Sequence, residues 1–177
     1  MTGELKQEDL DQIRKLCKEQ GIVPVSNLSN EDLRLTEVKR LDMLEKDLEQ
    51  DPRYTSLTEL AAYLTECPNS AINILGSTVQ RCKIIFGLSK EEEKDFERDE
   101  PRDLSICQFS LTSPHQPLII ENLLEDQRTK HKYSRPESLA IRFYAGAPLI
   151  SSRGFSLGTL CVVDDNPKSL KHNQIEG

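Results

Sequence analysis

The chain has 177 residues, enough for one domain with a sizeable core plus an appendage and too few for two full domains. Asp and Glu number 30 against 23 Lys and Arg, a net charge of −7 with no basic stripe, which disfavours nucleic acid and anionic membrane as partners. No apolar run approaches the roughly 18 residues of a membrane span, Met1 opens no secretory pattern, and the five cysteines (Cys17, Cys67, Cys82, Cys107, Cys161) are scattered without a CxxC pair, so the expectation is a cytoplasmic protein with reduced thiols.

Leu10, Ile13, Leu16 and Cys17 recur at helical spacing until Gly21-Ile22-Val23-Pro24 stops them, which predicts a short amphipathic helix in need of a partner surface. A longer helix is predicted from Asn30, capped by Ser29 or Asn30, with Glu31 and Asp32 in its first turn. Its stripe is Leu35, Val38, Leu41, Leu44 and Leu48, and Asp51-Pro52 ends it. In a third helix Ser56 and Glu59 stand at capping-box spacing and Tyr54, Leu57, Leu60, Ala61 and Leu64 share a face, closing at Pro68-Asn69. Strand signals over 70–75 and 78–86, around Gly76-Ser77, predict a first hairpin. The charged stretch 90–103 reads as a solvated loop or frayed helix, and the island 104–111 as a helical turn or a strand. A short strand is predicted at 117–121, then a polar helix plus loop over 126–137.

The most apolar stretch is 141–165, IRFYAGAPLISSRGFSLGTLCVVDD, written as a hairpin around Ser151-Ser152-Arg153-Gly154. Neither face of it is wholly polar, so both are expected to be covered. Pro148 falls inside its first strand, where a missing N–H predicts a bulge or a non-pairing position. Past Pro167, 169–176 starts a helix too short to stand alone, as though the natural chain continues. With no strand, crossover helix and strand in succession, the fold class is α+β: an antiparallel sheet with the terminal helices on one face and the excursions over the other.

Gly154-Phe155-Ser156-Leu157-Gly158 matches G-x-S-x-G, but a nucleophile elbow leads into a helix and this one leads into the strand TLCVV. Too little chain follows to supply acid and base, so the glycines are read as turn and packing residues. His115, His131 and His172 lie far apart in polar contexts without metal-ligand spacing and read as solvated. No glycine-rich loop opens a helix, Glu91-Glu92-Glu93 reads as a solvated face, and Asp164 and Asp165 read as turn formers. Cys107 stands where a segment crosses from a charged loop onto the sheet and could line a cavity; the plain reading is a buried, inert thiol.

RLTEVKRLDMLEKD, LTELAAYL, LSICQFSL, PLIIENLLED, and above all IRFYAGAPL with GFSLGTLCVVDDNPKSL, taken in order over about residues 34–176, resemble bacterial GAF domains of the kind found at the front of sensor histidine kinases and diguanylate cyclases. The resemblance implies a PAS-like central antiparallel sheet of five or six strands, terminal helices on one face, and a small-molecule pocket under loops and short helices on the other. It divides the chain into a helical extension and linker, 1–33, and the GAF domain, 34–177, with its last helix truncated. It departs from the bilin carriers, which use a Cys-His dipeptide, because Gln108 follows Cys107. It also lacks the cysteine that the related methionine sulfoxide reductases place before the late hairpin. No resident cofactor, metal or catalytic residue is therefore expected. The function implied is a non-catalytic regulatory module that binds a small ligand, pairs as a homodimer through terminal helices, and controls an output domain beyond Gly177. The candidate pocket residues are Leu104, Cys107, Phe109, Phe143 and Tyr144. The rival readings are a purely structural dimerisation module held by Leu35, Val38 and Leu41, and an enzyme using Cys107.

Overall fold

A computed structural model describes residues 6–19, 21–25, 28–134 and 140–175. Its six strands are β1 (Asn69–Leu75), β2 (Val79–Phe86), β3 (Asp99–Pro101), β4 (Leu118–Ile120), β5 (Phe143–Ile150) and β6 (Ser156–Asp164). They form one sheet in the order β3-β2-β1-β6-β5-β4, with every neighbouring pair antiparallel. Both expected hairpins form, and they join through β1 and β6 at the centre. A Cβ on Gly158 of β6 would stand 1.9 Å from the Asn73 carbonyl oxygen of β1, so only glycine allows this approach. Pro148 keeps Thr159 as its register partner, and the irregularity falls one residue later, between Leu149 and Ile150. Because β4 pairs only as far as Gly146, Pro148 has β6 on one side alone and can lack an N–H on the other.

The helices are α1 (Gln7–Glu19), α2 (Glu31–Arg40), α3 (Pro52–Thr65), α4 (Lys90–Asp95), α5 (Lys130–Tyr133) and α6 (His172–Ile175), with 3-10 turns at Arg102–Leu104 and Cys107–Thr112. The island 104–111 is thus helical turn rather than strand, and part of 90–103 is a true helix, opened by a Ser89/Glu92 capping box. α2 carries only Leu35 and Val38 of the expected stripe and ends before Leu41, Leu44 and Leu48, because the chain turns at Asp42 with φ of +53°. Leu48 nonetheless packs on Ile72 and Ile84, and Val38 on Ile74 and Leu157. Val38 is buried and Leu35 and Leu41 are half-buried within the protomer.

α3 begins one turn earlier than its capping-box signal. The Asp51 carboxylate accepts the Arg53 N–H at 3.1 Å, and Pro52 occupies the position where no N–H is needed. Its inner face is Thr58, Ala62 and Thr65, small enough to lie close to the sheet, where Ser70 Oγ donates to the Thr58 carbonyl at 2.6 Å. Leu57, Leu60 and Leu64 are left 46%, 51% and 49% exposed, so the predicted core face is the outer one. α3 and the C-terminal segment share one side of the sheet, with Leu170 against Cys67, Phe143 and Val162. α1, in the extension before the domain, lies on the opposite side, where Ile13, Cys17 and Ile22 pack on Leu104 and Phe109.

A buried cation ties α2 to the sheet. Arg34, 2% exposed, forms two bonds to the Glu31 carboxylate at 2.7 and 2.9 Å and donates to the carbonyls of Leu75, Ser156 and Gly76 at 2.7, 3.3 and 3.3 Å. Arg102 adds a second cation to Glu31. Burial raises the Glu31 carboxyl, but the Arg34 and Arg102 bonds outweigh it and hold it below its ordinary range. Replacing Arg34 by Leu strands these carbonyls, and urea denaturation should show a loss of about 3 to 5 kcal/mol.

Candidate functional site

The side of the sheet away from α3 presents Ala71, Asn73 and Leu75 from β1, Thr159, Cys161 and Val163 from β6, and Tyr144 and Gly146 from β5, since residues opposite one another in register share a face. The centre of that floor is polar. Asn73 Nδ2 lies 3.2 Å from Cys161 Sγ and 3.6 Å from Cys107 Sγ. The Tyr144 hydroxyl donates to Cys107 Sγ at 3.2 Å. A Cβ on Gly146 would meet that hydroxyl at 2.4 Å, so the glycine is what lets the ring lie along its own strand. Thr159 is fully buried beside them, its hydroxyl facing the Cys107 thiol and the Tyr144 hydroxyl.

Two short segments and the N-terminal strap close over this floor. The turn Cys107–Thr112 contributes Cys107, Gln108 and Leu111, and the stretch before β5 contributes Leu123 and Tyr133. Gln108 is fully buried and works as a pin: its Oε1 accepts the Val25 N–H at 2.8 Å and its Nε2 donates to the Asp103 carbonyl at 2.7 Å. Lys132 reaches from α5 to Glu100 at 2.8 Å and to the Leu104 carbonyl at 2.7 Å. Leu28 packs on the same cluster, so the segment after α1 covers the side that the short helices cover. Beside it opens a groove of about 470 Å³ lined by Val25, Leu28, Asn30, Glu31 and Arg102. A second cleft, of about 810 Å³ between Leu48's loop and the β2–β3 edge, is filled with mutually paired charges such as Arg81–Asp99 and Arg98–Glu49.

The thiols differ in character. Cys107 is held below the ordinary thiol range by the Cys161 thiol, against the opposing effect of burial and with help from the Tyr144 hydroxyl. Cys161 is pushed far up, first by the same contact and then by burial. Burial raises Tyr144 and Tyr133, and lifts Cys82 to about 12. Among the described residues, no group of three or more His, Cys, Asp or Glu side chains could hold a metal ion.

Of the five residues singled out from the sequence, Cys107 and Tyr144 touch. Phe109 packs against the same cluster, and Leu104 lies where α1 sits on the 3-10 turns. Phe143 points through the sheet into the α3-side cluster with Cys67, Ala145 and Val162, because its neighbour Tyr144 takes the other face. Gln108, Asn73, Thr159 and Cys161 belong to the arrangement and were not singled out. Asn73 alone carried a local signal, a polar side chain in the middle of the apolar strand SAINIL.

No family model matches the chain. A cyclic di-GMP phosphodiesterase of Pseudomonas aeruginosa is 29% identical over 139 residues, 78% of this chain and 22% of that protein, so the chain spans under a quarter of its relative's length. Two solved structures share the fold. One is the GAF domain of a phosphoenolpyruvate-protein phosphotransferase of Coxiella burnetii, with a TM-score of 0.52 and 16% identity over 85% of this chain and 87% of that one. The other is a red/green cyanobacteriochrome in its red-light-absorbing state, with a TM-score of 0.56 and 10% identity over 74% and 86%.

Gln108→Leu removes the acceptor of the Val25 amide and the donor to Asp103. Hydrogen exchange at 21–25 should then quicken roughly tenfold, about 1.4 kcal/mol, while the amides of β1 and β6 keep their protection.

Proposed function

We propose, for a chain with the GAF-domain fold, that it is a non-catalytic regulatory module of a larger signalling protein, binding a small ligand on the covered side of the sheet. Residues 1–33 are then an extension seated on residues 34–177. The observation that carries this reading is the polar floor under a cover held by a few side-chain bonds. Asn73, Thr159 and Tyr144 offer donors and acceptors in a water-poor setting, and a groove opens beside Val25 and Leu28 of the cover. Cys107, Tyr144 and Phe109 would line the site and Leu104 its rim; Phe143 would support it from below. A ligand acts on such a module only by binding the open and closed arrangements of the cover unequally. The relative's name points to cyclic di-GMP turnover by a domain joined to this one as the controlled output.

Melting curves against a panel of nucleotides, cyclic dinucleotides, amino acids and carboxylic acids test this directly. A true ligand at a hundred times its Kd should add about 2.7 kcal/mol, and Thr159→Val should weaken the effect. A flat response to the whole panel rejects the sensing role. The purified chain should leave cyclic di-GMP intact; hydrolysis would show it to be an enzyme.

A second reading, a homodimerisation module, is favoured by the outer face of α3. Leu57, Leu60 and Leu64 lie at helical spacing, and Gln174 Nε2 bonds to the Leu64 carbonyl at 2.7 Å, which brings the exposed Ile175 close to them. A second copy of the chain presents the same stripe, so the contact is self-complementary. Light scattering should find a dimer that Leu60→Glu converts to a folded monomer, and a monomeric parent chain removes this reading.

A further inference from the structure

We propose that Cys107 and Cys161 are a redox pair, and that a small peroxide converts them to an intramolecular disulfide that locks the Cys107–Thr112 turn onto the sheet. The two sulfurs share one donor, Asn73 Nδ2, at 3.6 and 3.2 Å, although their residues are far apart in sequence. They come from different layers, one from the cover and one from the central strand β6, so a bond between them ties a short irregular segment to the most rigid part of the fold. Among the described residues, neither thiol is engaged by a metal ligand set or a salt bridge. Cys82, also turned toward this side, belongs to β2, two strands from β6, or roughly 10 Å away across the sheet.

The surroundings divide the labour between the two sulfurs. Cys107 has the Tyr144 hydroxyl aimed at it at 3.2 Å, which favours the thiolate that attacks, while the shared Asn73 amide lies nearer Cys161. Cys161 keeps its proton until the first step is over. The Cys107 sulfur attacks one peroxide oxygen; a sulfur–oxygen bond forms, the oxygen–oxygen bond breaks, and the departing oxygen takes a proton and leaves as water. The Cys161 sulfur then displaces the sulfenic oxygen; the disulfide forms, the sulfur–oxygen bond breaks, and the second water leaves with the remaining thiol proton. The thiol pair gives up two electrons and the peroxide accepts them. Both sulfurs are nearly enclosed, at 3% and 5% exposure, so small peroxides should reach them where larger disulfide reagents such as oxidised glutathione do not.

The test is peptide mapping of the full chain after treatment with hydrogen peroxide, with free thiols alkylated under denaturing conditions. Two of the five thiols should disappear, a non-reduced peptide should join Cys107 to Cys161, and dithiothreitol should restore both. In Cys161→Ser the reaction should stop at a sulfenic acid on Cys107, trapped by dimedone. In Tyr144→Phe, the pH at which oxidation is half-maximal should move upward without loss of the final disulfide, a change that mere loosening of the core would not give. Unchanged thiols in the parent chain, a cross-link through Cys17, Cys67 or Cys82, or oxidation of all five at similar rates would overturn the assignment, and the parent chain alone decides these outcomes even if a variant fails to fold.

Discussion

Everything in this molecule depends on how closely β1 and β6 approach. At Asn73 and Gly158 there is no room for a single methyl group, and that contact joins two hairpins written at opposite ends of the domain. Strand pairing between segments so distant in sequence carries a large loop-closure cost, which the burial of both faces of β1 and β6 offsets. Arg34 then fastens the ends of these strands from outside, taking up carbonyls of Leu75, Gly76 and Ser156 that neither strand can satisfy where the sheet stops.

The same pairing composes the candidate site. Because Asn73 is opposite Thr159, and Ala71 opposite Cys161, the polar side chains of two hairpins collect on one patch of floor. Gly146 opposite Cys161 clears a path for the Tyr144 hydroxyl to cross to the cover. A hydrogen-bonded polar cluster in a dry interior is strongly held when complete and costly when a member is left over. The cover itself is built from 3-10 turns and a four-residue helix, elements with little backbone cooperativity, so their position rests on Gln108, Lys132 and the apolar contacts beneath.

The two sides of the sheet divide the work. The α3 side is closely packed through small residues and leaves a leucine stripe facing outward, suited to a partner surface. The covered side is shut by the chain's own N-terminal segment, so α1, Val25 and Leu28 stand between solvent and the polar floor. β5 touches both sides of the sheet, with Tyr144 facing the floor and its neighbour Phe143 the α3 cluster.

Period-two alternation and turn residues made the two hairpins, the short strand β4 and the α+β class legible in the sequence, because those signals are local. The likeness of FYAGAPL and LGTLCVVD to GAF domains supplied the architecture and the candidate Tyr144, while Cys107 had already stood out by its place between a charged loop and the sheet. Local pattern failed where tertiary contacts choose between alternatives. The α3 leucines read as core, yet the sheet accepts the smaller Thr58, Ala62 and Thr65 because they allow a closer approach. The stripe from Leu35 to Leu48 read as one helix, yet Asp42 turns the chain while the side chains keep their places. Phe143 and Tyr144 are adjacent in sequence, and only the register of β5 against β6 decides which of them faces the floor. The sequence alone determined which segments must be buried and which must turn. The tertiary structure decided that Asn73, Cys107, Tyr144, Thr159 and Cys161 meet, because long-range strand register, invisible to any local pattern, puts them on one face.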